Sequence, residues 1–208
     1  MANKKITDLS AVPITPTGTE LLELVQGGVS YKATAAAIGN SASALPFASL
    51  SGRSYGYFYD ATDQTGSVTT PTAIKLNTNV INTAGITITL SGADPTRVTF
   101  AAAGTYAIYP SLQFSNSAAS DYDVFVWLRK NGTDVTASNT RITIPKVADG
   151  GNGFFASCFY ETVTAGQYVE IMWLPENVAL TLDYTAAVVG PPAYPATPSA
   201  IVSVERIA

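Results

Sequence analysis

The stretch DVFVWLRKNGTDV, residues 123–135, decides the fold. Its alternating β-branched and aromatic residues predict a strand, and Asn131-Gly132 is the strongest short signal for a two-residue hairpin turn. Aliphatic side chains occupy one face of this strand, while Phe125 and Trp127 occupy the other. A strand that is apolar on both faces belongs in the core of a sandwich whose outer face meets a neighbour.

The same alternation recurs from about Arg53 onward, with turn signals between the segments. TYAIYPSLQFS, residues 105–115, predicts a strand in which Pro110 implies a bulge or an edge position, because proline lacks a backbone donor. GPPAYPATPS, residues 190–199, predicts a stiff, polyproline-type connection into the last strand. With about ten or eleven candidate strands and no convincing helix, the predicted fold class is all-β: an antiparallel jelly-roll sandwich.

The composition favours assembly over catalysis. Of the 208 residues, 47% are hydrophobic and only 12% are charged, against roughly 25% charged in an average soluble protein. Much of the surface is therefore expected to be buried against other chains. The net charge of −4 provides no basic field, so no nucleic-acid partner and no membrane partner are expected.

The absence of histidine removes several classes of chemistry. No Ser-His-Asp or Cys-His catalysis, His-ligated zinc or His-based pH switch is possible. The single cysteine, Cys158, excludes an intrachain disulfide and lies in an apolar run, GFFASCFYETV, where a small core residue is expected. No signal peptide or membrane span is recognisable, so we expect synthesis in the cytoplasm. No cofactor and no enzymatic activity are predicted.

The chain before the sandwich has a different character. We expect an extended N-terminal anchoring segment over residues 1–39, a small-residue linker over 40–52 and the jelly-roll domain over 53–208. The first segment predicts two short β segments about a turn at residues 26–28. Because one hairpin is only marginally stable alone, a partner surface is expected to complete it. The candidate anchoring residues are the apolar ones, Leu21, Leu22, Leu24, Val25, Val29 and Tyr31.

This opening segment resembles a known group of leaders. ITDL, residues 6–9, followed by TGTELLELVQGGVSYKATAAAI, residues 17–38, is similar to the N-terminal leader of bacteriophage tail fibres and head fibres. The chain departs from that pattern at Ser10, where proline is often found. The resemblance implies attachment to the major capsid protein or another virion protein.

Three later motifs, in order, resemble a phage domain similar to the tumour necrosis factor and complement jelly roll. They are VFVWLRKNGTDVTASNTRITI at 124–144, TAGQYVEIMWLPEN at 164–177 and GPPAYPATPSAIVSVERI at 190–207. The resemblance implies a homotrimer, with which the low charge agrees. The candidate residues for trimer packing are Tyr109, Phe125, Trp127 and Trp173.

Two sets of residues invite a chemical interpretation. The carboxylate pairs Asp121/Asp123 and Asp60/Asp63 suggest a calcium site or a glycosidase, although solvated loop-edge residues explain them better. The second set is aromatic: Trp127, Phe154, Phe155, Phe159 and Trp173. Packing in the core or between subunits is the expected role of these residues, and a sugar-binding platform is the alternative.

The sequence therefore predicts a structural virion protein of a bacteriophage. In this hypothesis a trimeric capsid decoration (cement) or head-fibre protein is assembled in the host cytoplasm and anchored by its N-terminal segment. The alternative is a tail-fibre or receptor-binding adhesin module that recognises a host surface glycan. The adhesin predicts exposed aromatic and carboxylate side chains in the loops near residues 116–123 and 146–153.

Overall fold

A computed structural model describes residues 21–26, 29–34, 54–82 and 85–208. The chain divides into two compact units, Met1–Gly52 and Arg53–Ala208. The predicted linker, residues 40–52, lies outside the described residues. None of the described residues forms a helix that is long and apolar enough to cross a membrane.

The first unit contains two antiparallel strands, β1 (Leu21–Gln26) and β2 (Val29–Thr34). Gln26 pairs with Val29, and the register runs on to the other ends of both strands. The two predicted β segments are thus confirmed, whereas residues 27–28 of the predicted turn lie outside the described residues. All six candidate anchoring residues lie on these strands, and their role stays a prediction.

The second unit is built from short antiparallel strands and one 3-10 turn, Val147–Asp149. The strands are β3 (Tyr55–Asp60), β4 (Gln64–Thr65), β5 (Thr72–Ala73), β6 (Thr78–Asn82), β7 (Ile86–Ser91), β8 (Asp94–Phe100), β9 (Gly104–Asn116), β10 (Tyr122–Lys130), β11 (Thr133–Asp134), β12 (Thr140–Ile144), β13 (Asn152–Ala156), β14 (Phe159–Val163), β15 (Tyr168–Pro175), β16 (Leu180–Leu182) and β17 (Ala200–Arg206).

These strands form two sheets within residues 54–208. The smaller sheet has the order β11-β10-β15-β8-β7, with β12 also on β10 and β5 also on β15. The larger sheet has the order β4-β16-β9-β17-β3-β6, with β13 and β14 also on β9. Because the chain passes back and forth between the sheets, from β8 to β9 to β10 and later from β14 to β15 to β16, the fold is a jelly roll. The predicted antiparallel sandwich is confirmed.

One hydrophobic core lies between the two sheets. Inward-facing side chains alternate along each strand with outward-facing ones, as the period of two requires. Aromatic rings meet across the core: Phe100 lies 4.3 Å from Tyr106, and Phe114 lies 5.9 Å from Trp173, between ring centroids. Such tilted pairs add about 0.5–1.5 kcal/mol each beyond the area they bury.

The hairpin turn predicted after β10 is present. Lys130 pairs with Thr133, and the two residues between them, Asn131 and Gly132, have φ values of 47° and 81°. Both values are positive, as a type I′ turn requires, and asparagine and glycine tolerate that region best. The turn therefore fixes the register that directs the aliphatic residues of β10 into the core.

Pro110 and Cys158 correct two expectations. Strand β9 is central, paired continuously with β17 on one side and with β13 and β14 on the other. Pro110 lies opposite Ser157, in the break between β13 and β14, and the Ser157 amide donates to the Pro110 carbonyl. The backbone donor that proline lacks would therefore face this break and not a continuous strand. Cys158 lies in that gap and is exposed. The edge or bulge at Pro110 and the core position of Cys158 are therefore wrong.

The proline-rich connection also differs from expectation. Val188 and Tyr194 exchange two backbone hydrogen bonds, and Thr185 and Thr197 exchange two more. The connection doubles back on itself as an irregular hairpin, because these pairs satisfy backbone groups that an extended polyproline segment leaves to water. The stiff connection predicted for residues 190–199 is thus wrong.

A pair of leucines tests the position of the core. Leu128 is 1% exposed and Leu90 is 58% exposed. We expect Leu128→Ala to lower the free energy of unfolding by about 2–5 kcal/mol, because it leaves a cavity between the sheets. Leu90→Ala should change that free energy by less than about 0.5 kcal/mol. Urea unfolding at equal protein concentration measures both, and equal effects of the two substitutions would contradict this core.

Candidate functional site

The outer side of the larger sheet carries a concentration of aromatic side chains. They come from three strands that are distant in sequence, β3, β9 and β14. In the sheet β14 pairs with β9, and β17 lies between β9 and β3. Each side chain is exposed or half-buried and alternates with residues that point inward. We call this surface the tyrosine face, and it consists of Tyr55, Tyr57, Tyr59, Tyr109 and Tyr160.

Strand register sets the spacing of this face. Tyr57 and Tyr109 both lie opposite Ser203 of β17, one on each side. Tyr55 lies opposite Glu205 of β17. On the other side of Glu205 lies Ala107 of β9, which in turn pairs with Tyr160 of β14. The tyrosine rings of β3, β9 and β14 therefore surround smaller or polar side chains, namely Ser203, Glu205 and Ala107.

A shallow depression of about 360 Å³ lies at the centre of the face. Ser203 lines it between Tyr55 and Tyr109. The Tyr109 hydroxyl donates a hydrogen bond to the Glu205 carboxylate over 3.1 Å. That bond is the main reason why the pKa of Tyr109 is raised to about 12. A hydrogen bond with the Cys158 thiol likewise raises the pKa of Tyr160, so both phenols stay neutral through the physiological range.

The face is large enough to matter energetically. The five neighbouring strands β6, β3, β17, β9 and β14, about 4.8 Å apart and each contributing about six residues at about 3.3 Å, give an outer side of roughly 400 Å², polar residues included. The largest exposed patch on a typical monomer is about 300–600 Å² and is often functional. Tyr160 is 66% exposed within the chain, and Ile81, opposite Tyr57, extends the apolar surface to the neighbouring strand.

The candidate trimer-packing residues fall in three different places. Tyr109 lies on the tyrosine face, whereas Phe125 and Trp127 lie on the outer side of the smaller sheet. Trp173 is fully buried beside Phe114 in the core of its own chain, so its assignment to trimer packing is wrong. The reason is register: Trp173 pairs with Val126, which points inward. Its indole N–H has no partner among the described residues, and such a group costs about 1–3 kcal/mol.

The carboxylate pairs form structural bonds within the sandwich. Asp121 accepts the Lys146 amide at 2.8 Å, and Asp123 accepts the Thr143 hydroxyl at 2.6 Å. Asp60 is buried, contrary to the loop-edge interpretation, and accepts both the amide and the hydroxyl of Thr62. Within the described residues, no three His, Cys, Asp or Glu side chains converge to hold a metal ion.

Asp63 accepts the amide of Tyr184 at 2.7 Å and lies near Asp183. Burial first and the Asp63 charge second raise the pKa of Asp183. The hydrogen bond between Asp63 and Tyr184 connects the residue before β4 to the segment after β16, which β4 also contacts directly. Its role is therefore to hold the edge of the larger sheet.

The two loops predicted for an adhesin lie side by side. The Val147 amide donates to Ala118, and the Asn116 side chain donates to three carbonyls, including those of Ile144 and Pro145. Exposed carboxylates, Asp121 and Asp149, are present there as expected, but the one aromatic residue within these two ranges, Tyr122, is half-buried and packs against the core. That part of the adhesin prediction is wrong for these loops.

The aromatic residues proposed as one sugar platform are not coplanar. Phe154 is 57% exposed on the outer side of the larger sheet, while Phe155 is buried and Phe159 packs against the core. Because side chains alternate along a strand, Phe154 points outward while the next residue, Phe155, points into the core. Sequence reasoning missed the tyrosine face, although the alternating YGYFY of β3 carried a signal for it.

No protein-family model matches the sequence. No curated protein matches it either. Among solved structures, murine APRIL at pH 5.0 has a TM-score of 0.48 at 12% identity, covering 75% of this chain and 100% of that one. Structures of murine APRIL at pH 8.5 and pH 8.0 have TM-scores of 0.46 at 12% and 11% identity, with the same coverage. The likeness is one of fold alone.

The pKa of Tyr109 provides a test of the geometry at the centre of the face. Because Glu205 favours the neutral phenol, Glu205→Gln should lower the pKa of Tyr109 from about 12 toward its ordinary 10.0. The stabilisation is present below pH 10.0 and is lost as the pH rises toward 12, the sign expected for a raised pKa. NMR titration of ring-labelled tyrosine measures the pKa, and an unchanged value in Glu205→Gln would contradict the hydrogen bond.

Proposed function

We propose that this chain is a structural bacteriophage virion protein, a homotrimeric capsid decoration or head-fibre protein. Its sandwich projects from the particle, and its N-terminal segment attaches to it. The observation that carries the assembly part is the tyrosine face, a cluster of aromatic side chains that the described residues leave exposed or half-buried. The low fraction of charged residues, 12%, agrees with a surface that is buried in an assembly.

The occupant proposed for the tyrosine face is a second copy of the chain. The face carries neutral phenols around a central depression, with Glu205 hydrogen-bonded to Tyr109 and therefore already partnered. Tyrosine is enriched at protein interfaces because it buries a large area and still satisfies its hydroxyl. Repeating the contact about a threefold axis covers the face in every copy, since a heterologous contact that closes forms a ring.

The virion part of the proposal is supported by the N-terminal resemblance. Strands β1 and β2 form a hairpin of six residue pairs within the segment similar to phage fibre leaders. A hairpin of that size is marginal on its own, which favours completion by a virion protein. Three such segments on one trimer would raise apparent affinity for the particle without any single strong contact.

A second candidate function is an adhesin module that binds a host surface glycan. One observation favours it: Phe125 and Trp127 line a pocket beside an Asp–Arg pair on the outer side of the smaller sheet. This surface is opposite to the tyrosine face within the sandwich, so both functions are compatible in one trimer.

A substitution at the centre of the tyrosine face tests the assembly. The native chain should have the mass of a trimer, about 65 kDa for three copies of 21.7 kDa. Ser203→Arg places a charge among the tyrosines and should give 21.7 kDa monomers with an unchanged β-sheet circular dichroism spectrum. Ser120→Arg, the same change in an exposed loop, should leave the trimer intact. Light scattering measures the masses, and a trimeric Ser203→Arg protein would refute this interface.

Deletion of residues 1–39 tests the attachment. The truncated protein should still form trimers but should be missing from purified virions. Leu22→Glu with Leu24→Glu should have the same effect through the apolar positions of β1, whereas Lys32→Gln in β2 should not. Quantitative mass spectrometry of purified particles gives the copy number, and a normal copy number for the truncated protein would rule out this anchor.

A further inference from the structure

A separate pocket lies on the outer side of the smaller sheet, away from the tyrosine face. It is an open depression of about 370 Å³, at the small end of the roughly 300–1,000 Å³ typical of ligand sites. Phe125 and Leu174 pair directly across β10 and β15 and supply part of its lining. Trp127 lies two residues further along β10, on the same face. Val135, Asp134 and Asn139 complete the lining from the segment that follows the hairpin.

The segment after the hairpin is held in place by its own hydrogen bonds. The Ser138 hydroxyl is buried, donates to the Val135 carbonyl at 2.8 Å and accepts the Leu128 amide at 3.0 Å. Between them, Ala137 has a φ of 62°, in the left-handed region. That conformation costs about 1 kcal/mol or more for a residue with a Cβ. Strain of this kind persists where the surroundings impose it, so the pocket wall is preformed.

The polar group at the pocket is oriented by two neighbours. Asp134 Oδ1 accepts the Trp127 indole N–H at 2.8 Å and the Arg129 Nε–H at 2.6 Å. The bond with Arg129, and then that with Trp127, lowers the pKa of Asp134, which stays ionised at neutral pH. Both described bonds use Oδ1, which leaves Oδ2 to accept from a ligand. The exposed carboxamide of Asn139 adds both donors and an acceptor.

From this arrangement we infer that the pocket is a binding site for a neutral saccharide ring. The half-buried ring of Phe125 faces the apolar C–H side of the sugar, Asp134 Oδ2 accepts from a hydroxyl, and Asn139 bonds a neighbouring hydroxyl. The pocket combines an apolar, aromatic lining with a few convergent polar groups, which is the composition of small-molecule sites. The inference rests on the adhesin function given above as the second candidate and deepens it by naming the ligand class and the groups that bind it. It is independent of the trimer proposed through the tyrosine face.

Charge argues for a neutral ligand over a cationic one. Aromatic rings beside a carboxylate also suit an ammonium or guanidinium group. Here, however, Arg129 already neutralises Asp134 at hydrogen-bonding distance. A cationic ligand would have to enter beside that guanidinium, whereas hydroxyl groups can bond to both members of the pair. Trp127 is only 8% exposed, which also leaves little ring face for a cation.

The two tryptophans of the chain provide the readout. In a nitrogen-15 correlation spectrum of the full chain, the indole N–H of Trp127 reports on the pocket, and that of buried Trp173 is an internal control. The probes are the methyl glycosides of glucose, galactose, mannose, rhamnose and N-acetylglucosamine. At least one should shift the Trp127 signal saturably, with a Kd in the millimolar range expected for a single small site. The Trp173 signal should not move.

Matched variants connect binding to the named groups. Phe125→Leu keeps an apolar side chain but removes the ring, and should weaken binding roughly three- to tenfold. Asp134→Asn should weaken it as well, with the fold checked by circular dichroism. Phe154→Ala, which removes an exposed ring from the other sheet, should have no effect. No shift with any of the five glycosides, a shift with tetramethylammonium alone, or undiminished binding by Phe125→Leu would each overturn the inference.

Discussion

Among the described residues, the larger sheet buries one of its two faces against the smaller sheet and leaves tyrosine side chains exposed or half-buried on the other. Strands β3, β9 and β17 direct Phe58, Leu112 and Val202 inward, where the smaller sheet covers them completely. The period of two then forces the intervening residues outward, where β3 places three tyrosines, β9 places Tyr109, and β17 places Ser203 and Glu205. We propose that a partner covers these exposed aromatic side chains, because the core of the sandwich is already filled without them.

The outer side of the smaller sheet differs from that of the larger one. Its outer side is covered in part by paired polar groups: Thr89 with Thr99, and Arg97 over the ring of Tyr168 at 4.2 Å. Around Phe125 the covering is incomplete, and the strained segment after the hairpin forms a pocket there instead of a flat surface. Each outer side thus carries one shallow depression, of about 360 Å³ on the larger sheet and about 370 Å³ on the smaller one. We propose a protein contact for the first side and a small ligand for the second.

The sequence predicted what local periodicity determines. The inward positions of β10 and the Asn131-Gly132 turn follow from alternation and turn chemistry alone. Trp173 could not be assigned in this way, because both sides of β15 are largely buried and periodicity does not say which side faces the core. Cys158 was misplaced since an apolar run does not reveal that its strand is interrupted.

The candidate sites depend on contacts between distant segments, which a single sequence does not display. Asp134 and Asn139 join Phe125 only because the hairpin folds back over β10. Likewise, Tyr55 and Tyr160 lie more than a hundred residues apart and share a face through the pairing of β3, β17, β9 and β14. The sequence shows which strands are rich in aromatic residues, but only the order of the strands in the sheet shows which of those residues lie next to one another.

Hydroxyl-radical footprinting of the native chain, read by mass spectrometry, tests the central claim that an assembly covers the tyrosine face. Within one chain Tyr160 is 66% exposed and Tyr194, in the proline-rich hairpin, is 47% exposed. Covering of the face predicts that Tyr160 and Tyr55 are protected while Tyr194 is oxidised freely. Oxidation of Tyr160 as fast as that of Tyr194 would show that the face is open to solvent and would contradict the account.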